Sequence, residues 1–274
     1  MSGELIKMSD LAGHVADGAE YHLPQFLGHL ELPTICGVQI TRFMVVELAV
    51  AVLMFALFFP LAAKIKSGEP ARGRFWNLLE VFLLYLRDEV MTPAIGKKDV
   101  GRFAPFLWTL FFFILFCNLA GLVPWFGASP TGALATTAVL AAATFVVLVG
   151  SGMKKFGVVG FWLGQVPTME LPIALAIFLK PMIFVIEVVG LFIKHVVLAV
   201  RLLANMFAGH LVLAVLLGFI AGTADYLALW VGVTVGSVAM SVALSLLELF
   251  VAFLQAYIFM FLASIFIGMA QHQH

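Results

Sequence analysis

Uninterrupted apolar runs constrain this chain more than any other feature, because they are too long for a fold surrounded by water. A helix needs about 20 mostly apolar residues to cross the hydrocarbon core of a bilayer. Hydrophobic residues make up 63% of the chain and charged residues 11%, against about 45–50% and about 25% in soluble domains. We therefore predict an all-α integral membrane protein with five transmembrane helices. The predicted spans cover residues 43–63, 103–126, 131–149, 171–221 and 226–270.

The last two runs are far longer than one bilayer crossing requires. As helices that rise about 1.5 Å per residue, they must be strongly tilted or continue beyond the hydrocarbon core. The turn-like stretch 222–226 between them predicts that they form a hairpin. An alternative with six spans, in which residues 171–221 form two short helices, is less favoured.

Residues 73–92 combine apolar positions with charges. Their central sequence, RFWNLLEVFLLYLRDEV, contains Arg74, Glu80, Arg87, Asp88 and Glu89. This composition predicts an amphipathic helix that lies on the membrane surface rather than a sixth span. A helix within a soluble loop is the alternative.

The distribution of basic residues predicts the orientation. Segment 64–102 holds eight of the fifteen Lys and Arg residues and segment 150–170 holds two more, and loops rich in Lys and Arg stay in the cytoplasm. We predict an external N-terminal segment, 1–42, followed by a single membrane domain, 43–274, whose C-terminus is cytoplasmic.

Charge balance and cysteine content exclude several other classes. The formal net charge is zero, so nothing indicates a nucleic-acid partner. Cys36 and Cys117 lie too far apart in sequence for a metal or redox motif. No nucleophile motif, phosphate-binding glycine loop or internal repeat is present. We expect no catalytic activity in this chain itself, no cofactor and no metal.

Polar residues recur every seven positions in each of the last two spans. The fourth span carries Lys180, Glu187, Lys194 and Arg201, and the fifth carries Thr234, Ser241, Glu248 and Gln255. Seven residues are two helical turns, so each set forms one slowly drifting stripe. A charge at the centre of a membrane helix costs about 2.5–3.5 kcal/mol on insertion scales, which makes each one a candidate functional residue.

Simpler explanations exist for the lysines but not for Arg201. Lys180 and Lys194 can extend their long stems towards the membrane surface, and Glu187 can form an ion pair with Lys194. Arg201 lies deep in its span, keeps its charge at every physiological pH and has no acid within four residues on its helix. It is therefore the strongest candidate for a functional residue.

A hairpin of the last two spans would bring polar residues to the same level. One register levels Arg201 with Gln255 and His210 with Glu248, whereas a tighter turn levels Arg201 with Glu248, and the sequence leaves both open. His210 lies nine residues after Arg201, which places it half a turn around the helix and about 13 Å along it. A titratable histidine and carboxylate on one side of a fixed cation, with Glu187 on the other, describe an interrupted proton path.

Two segments resemble subunit a of the F-type ATP synthase. They are LAVRLLANMFAGHLVL at 198–213 and LLELFVAFLQAYIFMFL at 246–262, supported by Glu187, Lys194 and FCNLAGLVP at 116–124. The resemblance covers nearly all of the chain after about residue 30. It implies a proton-translocating stator subunit in a bacterial inner membrane, with a rotating ring of c subunits, peripheral-stalk b subunits and the lipid bilayer as partners.

The resemblance also implies individual roles. Arg201 would engage a deprotonated carboxylate of the c-ring and block proton leakage between two half-channels, flanked by Asn205 and Gln255. His210 and Glu248 would line the outer half-channel and Glu187 the cytoplasmic one, with Lys194 nearby. Some relatives have glutamate first and histidine second at the two outer positions, so these residues are exchanged here. Some relatives also carry an acid where this chain has Gly121.

Two other classes remain as alternatives. A secondary transporter could bind its solute at the same charges, but it would usually show an internal repeat with paired broken helices. An intramembrane enzyme would need a nucleophile dyad or a metal triad, and neither is visible in the sequence.

Overall fold

A computed structural model describes residues 20–22, 29–31, 33–35, 37–66, 73–123, 129–166 and 173–271. Most of the predicted external segment, 1–42, and the C-terminal residues 272–274 lie outside the described residues. The division into an external segment and a single membrane domain therefore stays a prediction.

Among the described residues, five helices are long and apolar enough to span a membrane, which confirms the predicted class and number of spans. Each begins and ends within five residues of its predicted bounds, except that α5 continues seven residues beyond the predicted end at residue 149. They are α1 (Arg42–Lys66), α4 (Val100–Gly121), α5 (Leu134–Phe156), α7 (Ile173–Gly222) and α8 (Leu227–Gln271).

Helices α7 and α8 are continuous over 50 and 45 residues. At 1.5 Å per residue these are about 75 Å and about 68 Å long, more than twice the roughly 30 Å thickness of the hydrocarbon core. The six-span alternative is wrong, because α7 continues as helix through Pro181. Its end is capped by Thr223, whose hydroxyl donates to the carbonyl of Phe219 at 2.9 Å.

The predicted amphipathic segment is helical, but it is not one regular helix. Helix α2 (Arg74–Tyr85) continues into a π-helix (Leu86–Met91) and the short helix α3 (Thr92–Ile95). None of the twelve residues of α2 is buried. The indole of Trp108 on α4 donates to the carbonyl of Leu83 at 3.1 Å.

The π-helix carries an ion pair between adjacent residues. The guanidinium of Arg87 lies 2.8 Å from the carboxylate of Asp88. This hydrogen bond holds the pKa of the exposed Asp88 carboxyl below its usual value. Both side chains are exposed to solvent, so the ion pair contributes little to the stability of the fold.

Short connecting elements complete the described chain. A 3₁₀ turn (Pro130–Gly132) precedes α5, and helix α6 (Val158–Leu163) follows it. Two antiparallel ladders precede α1, which the sequence analysis did not anticipate. They pair β1 (Glu20–His22) with β2 (His29–Glu31) and β3 (Thr34–Ile35) with β4 (Val38–Gln39). Gly37, with φ of 82°, lies between β3 and β4 in a backbone conformation that favours glycine.

The described residues pack as two units, and every long helix contributes to both. The first comprises described residues of the ranges 1–59, 112–137 and 201–256, and the second those of 60–111, 138–200 and 257–274. Within the first unit, Val46 and Val50 of α1 form a buried cluster with Cys117 of α4. Within the second, the aromatic ring of Phe82 packs against that of Phe111, with their centroids 5.6 Å apart.

Candidate functional site

Arg201 lies on α7 at a partly exposed position. The neighbouring Leu198 and Leu202 are buried, at 2% and 1% exposure, whereas Asn205, one turn further on, is exposed. Within the described part of the chain, no hydrogen bond or ion pair engages the Arg201 guanidinium. A permanent cation thus lies one turn from an exposed amide on a mostly apolar helix.

Glu248 of α8 lies directly against Gly209 of α7. A Cβ atom added to Gly209 would stand 3.3 Å from Cγ and 3.0 Å from Cδ of Glu248 and would overlap its carboxylate oxygen Oε1. This contact agrees with the register that levels His210 with Glu248, and it disagrees with the one that levels Arg201 with Glu248. Gln255, two turns further along α8, is 6% exposed.

The polar stripe of α8 is partly buried and unsatisfied. Thr234 Oγ1, Ser241 Oγ and Glu248 Oε2 are buried atoms that have no hydrogen-bond partner among the residues that the structure describes. Buried polar atoms are usually paired with protein or with ordered water. Three such atoms spaced two turns apart favour a hydrated line along this face of α8.

His210 is held by the segment that precedes α5. The backbone N–H of Ser129 donates to Nε2 of His210 at 3.4 Å. In the neutral imidazole one ring nitrogen is a donor and the other an acceptor. This contact therefore favours the tautomer with the proton on Nδ1.

A buried polar network, which the sequence analysis missed, surrounds Ser129. Its hydroxyl lies 3.0 Å from the carbonyl of Cys117 and 2.6 Å from the hydroxyl of Thr131. Thr131 donates to the side-chain carbonyl of Asn118 at 2.5 Å, and the amide of Asn118 donates to the carbonyl of Ala252 at 3.1 Å. The two hydroxyls supply two protons for three oxygen–oxygen contacts, so one of the three contacts contains no proton at any moment.

The network links the end of α4 and the turn before α5 to α8. Ser129, Thr131 and Asn118 are each 0% exposed. Asn118 belongs to the motif FCNLAGLVP that supported the family resemblance, and this was the only signal in the sequence. The two hydroxyl residues carry no charge, so they did not stand out from other turn residues.

Gly121 has no room for a side chain. An added Cβ would lie 2.7 Å from Cα and 2.8 Å from the backbone nitrogen of Ser129, distances that real Cβ atoms do not show. This backbone arrangement therefore cannot carry an acid at position 121.

Glu47 of α1 is a further residue that the sequence analysis missed. Its carboxylate oxygen Oε1 accepts a hydrogen bond of 2.6 Å from the hydroxyl of Thr136 on α5. The available signal was its position inside the first span, the same criterion that selected Arg201.

The second unit contains the remaining residues of the α7 stripe. Lys180 and Lys194 are exposed and Glu187 is partly buried. Glu187 and Lys194 form no ion pair among the residues described. An ion pair between them therefore does not explain why these two charges lie in the fourth span. Lys194 instead places its ammonium 6.0 Å from the ring centroid of Phe266.

His195 is buried beside Lys194. It is 4% exposed, and its Nδ1 lies 2.9 Å from the carbonyl of Leu191, which requires the proton on Nδ1. Its ring packs between Phe145 and Phe266, at centroid distances of 5.1 Å and 5.4 Å. Over the part of the chain that the structure describes, no group of three or more His, Cys, Asp and Glu residues is arranged to hold a metal ion.

Comparison with known proteins gives a consistent result. A family described as ATP synthase A chain matches residues 44–268. ATP synthase subunit a of Myxococcus xanthus is 38% identical over 270 residues, which cover 94% of this chain and 85% of the relative. The subunit a of Chloroherpeton thalassium is 39% identical over 268 residues, covering 95% and 76%. That of Anaeromyxobacter dehalogenans is 44% identical over 218 residues, covering 78% of this chain but only 53% of the relative.

Proposed function

The chain belongs to the ATP synthase subunit a family, and on that premise we propose how its intramembrane side chains carry protons past a rotor. Subunit a is the proton-translocating stator subunit of the complex, so the secondary-transporter alternative is not supported. The relatives are bacterial, and five helices are long enough to span a membrane. The ATP-forming chemistry belongs to other subunits, and this chain has no catalytic role of its own.

Arg201 is the residue that separates the two halves of the proton path. The observation that carries this proposal is its partly exposed position beside Asn205, with no partner among the described residues. A guanidinium in a membrane segment requires an anion. The carboxylate of a c-ring subunit that has just released its proton supplies one, and the fixed positive charge repels a proton that would otherwise pass directly.

His210 and Glu248 form the outer half-channel. Their level positions on α7 and α8 are supported by the contact of Glu248 with Gly209. The hydroxyls of Thr234 and Ser241, which have no hydrogen-bond partner within the described part of the chain, extend the same line along α8. Gln255 lies on the inner side of this line and, with Asn205, flanks the arginine.

Glu187 and Lys194 belong to the inner half-channel. Glu187 lies 14 residues before Arg201 on the same helix, which is about 21 Å along its axis. The orientation proposed from the basic loops places this end of α7 in the cytoplasm and the N-terminus outside the inner membrane. The c-ring faces the exposed side of α7, and the peripheral-stalk b subunits hold the chain against rotation.

The interruption of the path follows from energetics. One proton that crosses a potential of 100 mV releases about 2.3 kcal/mol. A continuous pore would dissipate this energy without rotation. Two half-channels separated by a fixed cation oblige each proton to travel on the rotor, which couples the flow to mechanical work.

Arg201→Ala tests this proposal. In inverted vesicles that contain the whole ATP synthase, we expect ATP-driven acidification to be lost while hydrolysis by the soluble head continues, because the head does not contain this residue. The matched control is Lys154→Ala, an exposed cation outside both half-channels, for which we expect normal acidification. Full coupled pumping by Arg201→Ala would refute the assigned role.

A further inference from the structure

Glu47 is a titratable residue for which the proposed half-channels have no role. It lies in α1, five residues after the helix begins at Arg42, or about 8 Å along the axis. The helix that carries it is long and apolar enough to cross a membrane. A carboxylate at such a position is costly unless it is paired or functional.

The carboxylate is directed at protein. The hydroxyl of Thr136 on α5 donates to its Oε1 at 2.6 Å. Val46 and Val50, which flank Glu47 on α1, pack with the buried Cys117 of α4. Glu47 therefore lies beside the interface of three helices and is half-buried.

The packing of α1 places Glu47 at the level of His210. Phe43, one turn before Glu47, packs against Ala133 and against Ala214 of α7. The first and fourth of five successive spans run in opposite directions. Phe43 of α1 contacts Ala214 of α7. Because the helices run in opposite directions, one turn forward on α1 reaches Glu47 and one turn back on α7 reaches His210.

The segment 129–136 contacts both titratable groups. Its Ser129 donates a backbone hydrogen bond to His210, and its Thr136 donates a hydroxyl hydrogen bond to Glu47. Since Glu248 lies against Gly209, three titratable side chains from three helices share one layer of the first packing unit. Among the described residues, Arg42 lies five residues before Glu47 on the same helix, and the buried Cys117 of α4 packs with Val46 and Val50 beside it.

We propose that Glu47 is a further proton-carrying residue of the outer half-channel. The carboxylate takes a proton from external water and becomes the neutral acid. It then passes that proton to the His210–Glu248 pair and returns to the carboxylate, with no net change. Position 121 cannot supply such an acid in this chain, because Ser129 fills the space of its side chain. The inference rests on the proposed function of the half-channel.

The competing explanation is purely structural, with Glu47 present only to accept the hydrogen bond of Thr136. Glu47→Gln separates the two, because glutamine has nearly the same volume and keeps an acceptor oxygen but cannot carry a proton. In inverted vesicles that contain the intact ATP synthase, we expect ATP-driven proton pumping to fall by about a hundredfold, the lower end of what a positioned proton-transfer group contributes. We also expect a changed dependence of pumping on the pH of the compartment that the outer half-channel faces.

Three variants serve as controls in the same assay. Glu47→Asp keeps a carboxylate and should restore much of the pumping that glutamine loses. Glu80→Gln removes an acid from α2, outside the layer, and should leave the rate and its pH dependence unchanged. Thr136→Val removes the donor but keeps the Glu47 carboxylate, so it should reduce pumping less than Glu47→Gln does.

The outcomes distinguish this inference from the proposed function. Pumping by Glu47→Gln at the parental rate and with the parental pH dependence would overturn the role of Glu47, while loss of pumping in Arg201→Ala would leave the half-channel scheme intact. Equal losses of assembled complex in Glu47→Gln and Thr136→Val, with unchanged pumping per complex, would also overturn it in favour of the structural role. Normal pumping by Arg201→Ala would instead refute the half-channel scheme itself.

Discussion

At the scale of single residues, Gly209 determines where the Glu248 carboxylate can lie. A methyl group at Gly209 would overlap the end of a flexible side chain and no backbone atom. We therefore expect Gly209→Ala to leave folding and assembly nearly intact while it displaces the carboxylate. A displacement of about 1 Å can reduce a proton-transfer rate by about 10-fold to 100-fold. ATP-driven pumping per assembled complex in inverted vesicles measures this effect.

Gly190→Ala is the control for that change. Gly190 lies on the same helix, and an added Cβ would meet no atom within 4 Å. Pumping should remain at the parental level in this variant. Equal pumping by both alanine variants would show that the position of the Glu248 carboxylate does not limit proton transfer.

Charged residues could be identified from the sequence because the cost of a charge in a membrane helix depends mainly on the residue itself. Arg201, Glu187 and Glu248 were identified in this way, although their roles stay proposals. The contributions of Ser129 and Thr131 depend on where the turn before α5 packs. That packing is a long-range property which no local pattern encodes.

At the scale of elements, close backbone contacts limit the residues that α8 can carry. A Cβ at Gly268 would overlap the carbonyl oxygen of Ala94 and lie 2.9 Å from its carbonyl carbon. These are backbone atoms, so the strain cannot be relieved by rotation of a side chain. We expect Gly268→Ala to destabilise the packing of α8 on α3 by about 1–3 kcal/mol.

Thermal unfolding of the purified complex in detergent measures that change. Gly232→Ala is the matched control on the same helix, because an added Cβ there meets nothing within 4 Å. We expect a lowered unfolding temperature for Gly268→Ala alone. Equal temperatures for the two variants would show that α8 and α3 can separate at little cost.

Length and hydropathy predicted the helices well because both are properties of continuous sequence. The predicted hairpin turn at 222–226 is found at residues 223–226, between α7 and α8. The π-helix Leu86–Met91 was not predicted, because one extra residue in a turn leaves the apolar pattern almost unchanged. The ladders at residues 20–39 are two or three residues long, too short for a recognisable alternation.

At the scale of the whole molecule, the two sets of titratable residues belong to different packing units. Glu47, His210 and Glu248 are in the first, whereas Glu187 and Lys194 are in the second. Arg201 is the first α7 residue of the first unit. The residues of the proposed outer half-channel thus pack in one unit and those of the inner half-channel in the other.

The assignment of the two half-channels to the two sides of the membrane depends on the orientation of the chain, and labelling with a membrane-impermeant maleimide can establish that orientation. Asp225, in the turn between α7 and α8, and Lys98, before α4, are both exposed. In a chain whose Cys36 and Cys117 are replaced by serine, we expect Asp225→Cys to react in intact cells. Lys98→Cys should react only in inverted vesicles, because the basic segment that contains it is cytoplasmic. The opposite pattern would exchange the two half-channels, so that Glu187 would face the outside and Glu47, His210 and Glu248 the cytoplasm.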